Sequence, residues 1–165
     1  MCFVCGLANP AGLHAAIYEV ASGEVVAIFR PTECHQGYPG RMHGGIAGTI
    51  LDEVIGRAAN ARSGGDAWAV TVEFTARYRA PVPLGAELRA VGRIVKDSPR
   101  FFEGTGEILL PDGTVAVEGR GRYLRLPFGR IADTSADRED WRVVPSPDDP
   151  PAIAVEGPDV HEAGG

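Results

Sequence analysis

His43-Gly44-Gly45 stands shortly before an acidic pair, Asp52-Glu53, within the run MHGGIAGTILDEVIGRAANARSGG from Met42 to Gly65. Two glycines at a helix start leave backbone N–H groups bare and aimed at whatever lies there. A carboxylate one or two turns into an otherwise apolar helix is costly to bury unless something pairs it or uses it. Donors that polarise a carbonyl, beside a carboxylate able to take a proton or attack, are the ingredients of acyl chemistry.

The elements that must hold these residues are legible. Ile46, Ile50, Val54 and Ala58 recur at i+4 with Leu51 and Ile55 beside them, which predicts a helix running to about Arg62. Ser63-Gly64-Gly65-Asp66 ends it. Upstream, Leu13–Val20 and Glu24–Arg30 flank the turn Ala21-Ser22-Gly23 and read as a hairpin. Pro31–Met42 is a loop. From Ala67 the period becomes two: Val70, Val72, Phe74, Ala76 and Tyr78 fall on one face, and Thr71, Glu73, Thr75, Arg77 and Arg79 on the other. Further strands are expected at Glu87–Val95, Phe101–Leu110 and Thr114–Leu126, the last two joined by Pro111-Asp112-Gly113. The order β-β-α-β-β-β-β is that of an α+β domain with one long helix and an antiparallel sheet.

Charge divides the chain. Residues 1–127 hold thirteen acidic and thirteen basic side chains, whereas residues 128–165 hold nine and three, which accounts for the net charge of −6. A neutral body with an acidic, proline-rich tail excludes nucleic acid as the main partner, since phosphate binding needs a basic footprint. The tail, 128–165, reads as extended or mobile, with Trp141 and Val143-Val144 as its docking residues. No apolar run reaches the roughly 20 residues of a membrane span, and MCFVCGLANP has no signal-peptide pattern, so a cytoplasmic protein is expected. Cys2-x-x-Cys5 with Cys34-His35 offers four soft ligands of the kind zinc takes. The second half is not a C-x-x-C, so packed or idle thiols, with no metal and no cofactor, are the expected state.

Four stretches carry a resemblance: Cys5-Gly6-x-x-Asn9-Pro10-x-Gly12-Leu13, Gly37-x-Pro39-Gly40-x-x-His43-Gly44-Gly45, Leu51-Asp52-Glu53, and Tyr78 through Gly85. In this order the sequence resembles the hotdog-fold acyl-CoA thioesterases, in particular the phenylacetate-pathway, PaaI-like branch. The resemblance implies a long helix wrapped by a curved antiparallel sheet over residues 1–127, an acyl-CoA substrate, and a dimer whose sheets join edge to edge, with a dimer of dimers also open. It implies that the Gly44 N–H, with Gly45 beside it, meets the thioester oxygen, and that Asp52 is the general base or nucleophile. His43 shapes the loop or hydrogen-bonds near the carbonyl. Thr71 occupies the position of the residue that helps hold water. Strict alternation sets Thr71 on the wrong face for that role, and only a β-bulge would reverse it. Where the family often has Asn, this chain has Gly37, which leaves Gln36 or His35 to supply a second donor. Arg77 and Arg79 are candidates for the CoA phosphates. Glu53 is expected to be structural.

Eight residues separate Gly44 from Asp52, about 12 Å along one helix. One helix therefore cannot serve a single carbonyl with both, but two helices packed antiparallel across a twofold axis can. Other functions stay open at this point. A dehydratase or hydratase would pair His35 or His43 with Asp52, and a non-catalytic acyl-CoA sensor would keep the pocket without turnover.

Overall fold

The computed structural model describes residues 1–63, 68–131, 143–147 and 149–153. Among the described residues, six strands and one long helix make up the body: β1 (Ala16–Glu19), β2 (Val25–Phe29), α1 (Gly44–Arg62), β3 (Ala69–Tyr78), β4 (Leu88–Asp97), β5 (Phe101–Leu109) and β6 (Val115–Arg125). The strands form one sheet in the order β1-β2-β4-β5-β6-β3, every neighbouring pair antiparallel. Between β2 and β3 the chain crosses the sheet as α1, so β3 enters at the far edge. Among the described residues no helix is long and apolar enough to cross a membrane.

The buried face of α1 is Ala47, Ile50, Leu51, Val54, Ile55, Ala58 and Ala59, an i, i+3, i+4 stripe about the width a sheet can cover. Ile46, expected in that stripe, is only half-buried in the first turn of the helix. Depth is set by missing side chains. Gly92, Gly106 and Gly119 lie in register across β4, β5 and β6. A Cβ on Gly92 would stand 2.5 Å from the carbonyl carbon and oxygen of Val54. Helix backbone thus rests directly on sheet backbone, and the apolar side chains to either side interdigitate. Replacing a fully buried Ile50 or Ile55 by alanine there should cost about 2–5 kcal/mol.

β5 alternates between half-buried and buried residues from Phe101 to Ile108. β3 does not: among the described residues it pairs only with β6, and Val72 and Tyr78 stay 51% and 54% exposed. The β3–β6 register shifts between Thr71 and Glu73. Val72 is the extra residue, and the phase of the strand reverses across it. Val70 and Thr71 therefore exchange the faces on which simple alternation had set them.

The other face of the sheet carries a small apolar cluster, Val26, Val91 and Leu109, against which Ile153 packs. Tyr18 Oη donates to Asp149 Oδ1 at 3.0 Å beside it. The docking residue of the tail is thus Ile153. Val143 and Val144, expected to dock, are exposed, 90% and 56%, and Trp141 lies outside the described residues, as do Gly64, Gly65 and Asp66.

Candidate active site

The start of α1 is fixed from three sides. Antiparallel bridges join Gln36 to Met42 and Arg41 to Pro83, and Met42 N–H donates to Val82 at 2.9 Å. His43 N–H donates to the His35 carbonyl, also at 2.9 Å. Tyr78 Oη donates to the Gly44 carbonyl at 2.7 Å, tying β3 to the first helical turn. His43 is the N-cap residue: its Nδ1 accepts from Gly45 N–H at 2.9 Å. That bond sets the tautomer, leaving the proton on Nε2. It also separates the two glycines. Gly45 N–H is occupied by the cap, whereas Gly44 N–H donates to nothing among the described residues. Bare and lying at the positive end of a nineteen-residue helix, it is the donor left for an incoming oxygen.

Two turns on, Asp52 is half-buried and points toward β3 and β6. Its Oδ1 accepts from Thr71 Oγ1 at 2.9 Å and from Tyr123 Oη at 2.9 Å. Oδ2 accepts from no described residue. The bulge at Val72 is what turns Thr71 toward the helix while Phe74, three residues later, keeps the same face. Both donors are hydroxyls, so they orient the carboxylate without cancelling its charge.

Tyr123 was not singled out from the sequence. It is 2% exposed, stacked on Phe102 with ring centroids 4.7 Å apart. Burial, reinforced by the Asp52 charge and hydrogen bond, pushes its phenol far above the usual range, so it stays a donor at any working pH. Its ring lies back over Gly121, where a Cβ would come within 2.5 Å of it. The available signal was a tyrosine continuing the inward series Val117, Gly119, Gly121, with the glycine two residues earlier leaving room for its ring.

Other expected residues sort themselves. Gln36 Oε1 accepts from Gly40 N–H at 2.9 Å and so holds its own loop. His35 is buried, with Nδ1 accepting from Thr32 N–H at 2.9 Å and Nε2 against the Ala11 carbonyl at 3.2 Å. Both its nitrogens are committed, which leaves none for a substrate. Arg79 binds Glu118 through Nε and Nη2, at 3.2 and 3.0 Å. Arg77 is exposed and has no ion-pair partner among the described residues.

Glu53 faces elsewhere. Arg57 Nε reaches its Oε1 at 2.7 Å, and Arg57 Nη2 contacts Cys5 Sγ at 3.1 Å. Burial outweighs the Arg57 cation and holds the Glu53 carboxyl above the ordinary glutamate range. Cys2 and Cys5 join Glu53, and not Cys34 and His35: among the described residues this is the one cluster of three with metal-ligating types.

A single long helix on a six-stranded antiparallel sheet, with a bare helix N-terminus and a hydroxyl-held aspartate, defines a hotdog-type α+β domain. Known proteins agree with that class. Residues 39–117 match the family model described as the thioesterase superfamily. Acyl-coenzyme A thioesterase THEM4 of Xenopus laevis is 33% identical over 72 residues, covering 44% of this chain and 31% of that protein. The solved structure of RHA08564, a thioesterase superfamily protein, is similar at 31% identity and a TM-score of 0.60, covering 66% of this chain and 55% of that one. The E. coli PaaI protein of the phenylacetic acid degradation operon shares the fold at 20% identity and a TM-score of 0.63, with 69% and 80% covered. The chain thus matches under a third of the length of THEM4 and about half that of RHA08564.

Proposed function

We propose that this protein hydrolyses an acyl-CoA thioester to a carboxylic acid and free CoA, as a PaaI-like enzyme of the cytoplasm. The observation that carries the reading is Asp52, with one carboxylate oxygen gripped by Thr71 and Tyr123 and the other uncommitted. Such a group takes a proton from water or attacks the thioester carbon itself. The bare Gly44 N–H stabilises the oxyanion that develops, aided by the helix dipole, a contribution of about 3 kcal/mol where single donors of this kind have been removed.

The two halves lie too far apart on α1 to act on one carbonyl. The acting pair is therefore Gly44 of one protomer with Asp52, Thr71 and Tyr123 of its partner, in a dimer formed along the β3 edge. Support for that edge comes from its unpaired outer side and its exposed Val72 and Tyr78, features a lone protein normally covers or blunts. His43 acts through the cap, by occupying Gly45 and leaving Gly44 bare. Arg77, lacking a partner, meets a CoA phosphate; Arg79 is held by Glu118.

A dehydratase needs a histidine free to move a proton. His35 has no free nitrogen, and Nδ1 of His43 is taken by Gly45, so the hydrolase reading is preferred. The test is release of free thiol from aromatic, short-chain and long-chain CoA esters by the purified protein. Turnover of at least one ester supports the proposal. CoA-ester binding without thiol release by the wild type would overturn it and leave a sensor.

A further inference from the structure

The thiols of the N-terminal turn have no part in the proposed hydrolysis, yet they are built into the fold. Cys2-x-x-Cys5-Gly6 closes a tight turn in which Gly6 N–H donates to the Cys2 carbonyl at 3.0 Å. Only glycine fits at its end, since a Cβ on Gly6 would lie 2.5 Å from Cys2 N and O. Val4 N–H points at Cys2 Sγ, 3.4 Å away. The turn lies on α1, where Glu53 completes the set.

We infer that Cys2, Cys5 and Glu53 form a binding site for a soft divalent cation of the zinc type, clamping the N-terminal turn to the helix that carries Asp52. The two Sγ atoms and a Glu53 oxygen all lie within 4.8 Å of one another. Around tetrahedral zinc, with bonds of about 2.0–2.3 Å, such ligands stand about 3.5–3.8 Å apart, so only a small closure is needed. Charge balances as well. Two thiolates and one carboxylate supply three negative charges, and one divalent cation with the Arg57 guanidinium supplies three positive. Arg57 holds one Glu53 oxygen at 2.7 Å and touches Cys5 Sγ at 3.1 Å, the position of an outer-shell group that orients ligands. Its other oxygen is left for the cation, and binding expels the thiol protons. Cys34 and His35 do not complete the shell: Cys34 is exposed against Thr32 Oγ1, and His35 is saturated. Three protein ligands leave a fourth position for water. Nothing in this site depends on the proposed hydrolysis.

The test uses the full chain, reduced, stripped with a chelator and titrated anaerobically with Co²⁺. A near-ultraviolet thiolate-to-cobalt band should saturate at one equivalent per chain and bleach when zinc is added. Cys2→Ser and Cys5→Ser should abolish the band, Glu53→Gln should weaken binding, and Cys34→Ser should leave it unchanged. On the wild type itself, X-ray absorption of the zinc-loaded protein should count two sulfur neighbours. No saturable band in reduced wild type, a band that survives Cys2→Ser and Cys5→Ser, a band lost with Cys34→Ser, or no sulfur around zinc would each overturn the site.

Discussion

Asp52 receives two hydroxyl protons from the sheet, whereas Glu53, the next residue of α1, receives an arginine from its own helix and lies against two thiols. One residue turns a helix by about 100°. That rotation sends the first carboxylate over β3 and β6 and the second under the N-terminal turn. Neutral donors fix a carboxylate while leaving its charge and its second oxygen in play. A cation at 2.7 Å fixes the other by matching its charge. Two acids adjacent in sequence are thus prepared for different work by what packs against them, and burial alone would not distinguish them.

The sharpest way to break this contrast is to neutralise each acid in turn. Asp52→Asn should lower kcat about 10²–10⁴-fold, the range of a lost general base, while Glu53→Gln should change it less than about threefold. Thiol release with both variants checks this, and comparable losses would erase the distinction. Next in size is the hydroxyl grip. Tyr123→Phe removes a bond to a charged group, worth about 1.5–3 kcal/mol, and should cost at least about tenfold in kcat with little change in KM. Gly121→Ala should reproduce that loss by displacing the Tyr123 ring, and should also cost about 1–3 kcal/mol of stability from overpacking. A Gly121→Ala variant with wild-type kcat would show that the grip is ornamental.

The Glu53 side of the contrast has its own signature in pH. Burial raises its carboxyl above the ordinary glutamate value despite Arg57. The folded state therefore holds this proton more tightly than the unfolded state. Stability contributed by the protonated form is full below the ordinary range and declines as pH rises through the raised value. In chelator-treated protein, the wild type should lose stability relative to Glu53→Gln as pH climbs from about 4.5 toward neutrality. Denaturant unfolding at several pH values measures the difference, and a constant gap would contradict the assignment. The smallest effect belongs to the arginines. Arg77→Ala should raise KM for a CoA ester a few-fold, as expected for an exposed charge worth up to about 1 kcal/mol. Arg79→Ala, whose guanidinium is held by Glu118, should leave KM unchanged.

Much of this was readable in the residues themselves. The helix, the six strands and their antiparallel character follow from period and turn chemistry, because a buried stripe and an alternating strand write themselves into spacing. The sheet order and the long β2–α1–β3 crossover do not, since pairing partners are set by packing. Asp52 stood out as a carboxylate in an apolar helix. Its orientation toward Thr71 did not, because a bulge changes the phase of a strand without changing its composition. Tyr123 was hidden for a related reason. Its role depends on a glycine two residues earlier that lets the ring lie flat, and spacing alone cannot show where a ring reclines. Cys2 and Cys5 were visible as a pair, but the acid that the fold sets beside them is Glu53, which no linear spacing links to them.

In the proposed site, Asp52 of one protomer works with Gly44 of the other. Gly44→Pro tests it with minimal disturbance. Proline is well tolerated at the first position of a helix, and His43 has the extended backbone that precedes proline comfortably, with ψ of 134°. The N–H is removed, and the Tyr78 ring must yield only a few tenths of an ångström. Gly44→Pro and Asp52→Asn homodimers should each be inactive. Unfolded and refolded together in equal amounts, they should regain about a quarter of wild-type thiol release, because half the dimers are mixed and each mixed dimer has one intact site of two. Recovery near that level is the predicted result, and a mixture as inactive as its parents would contradict the shared site.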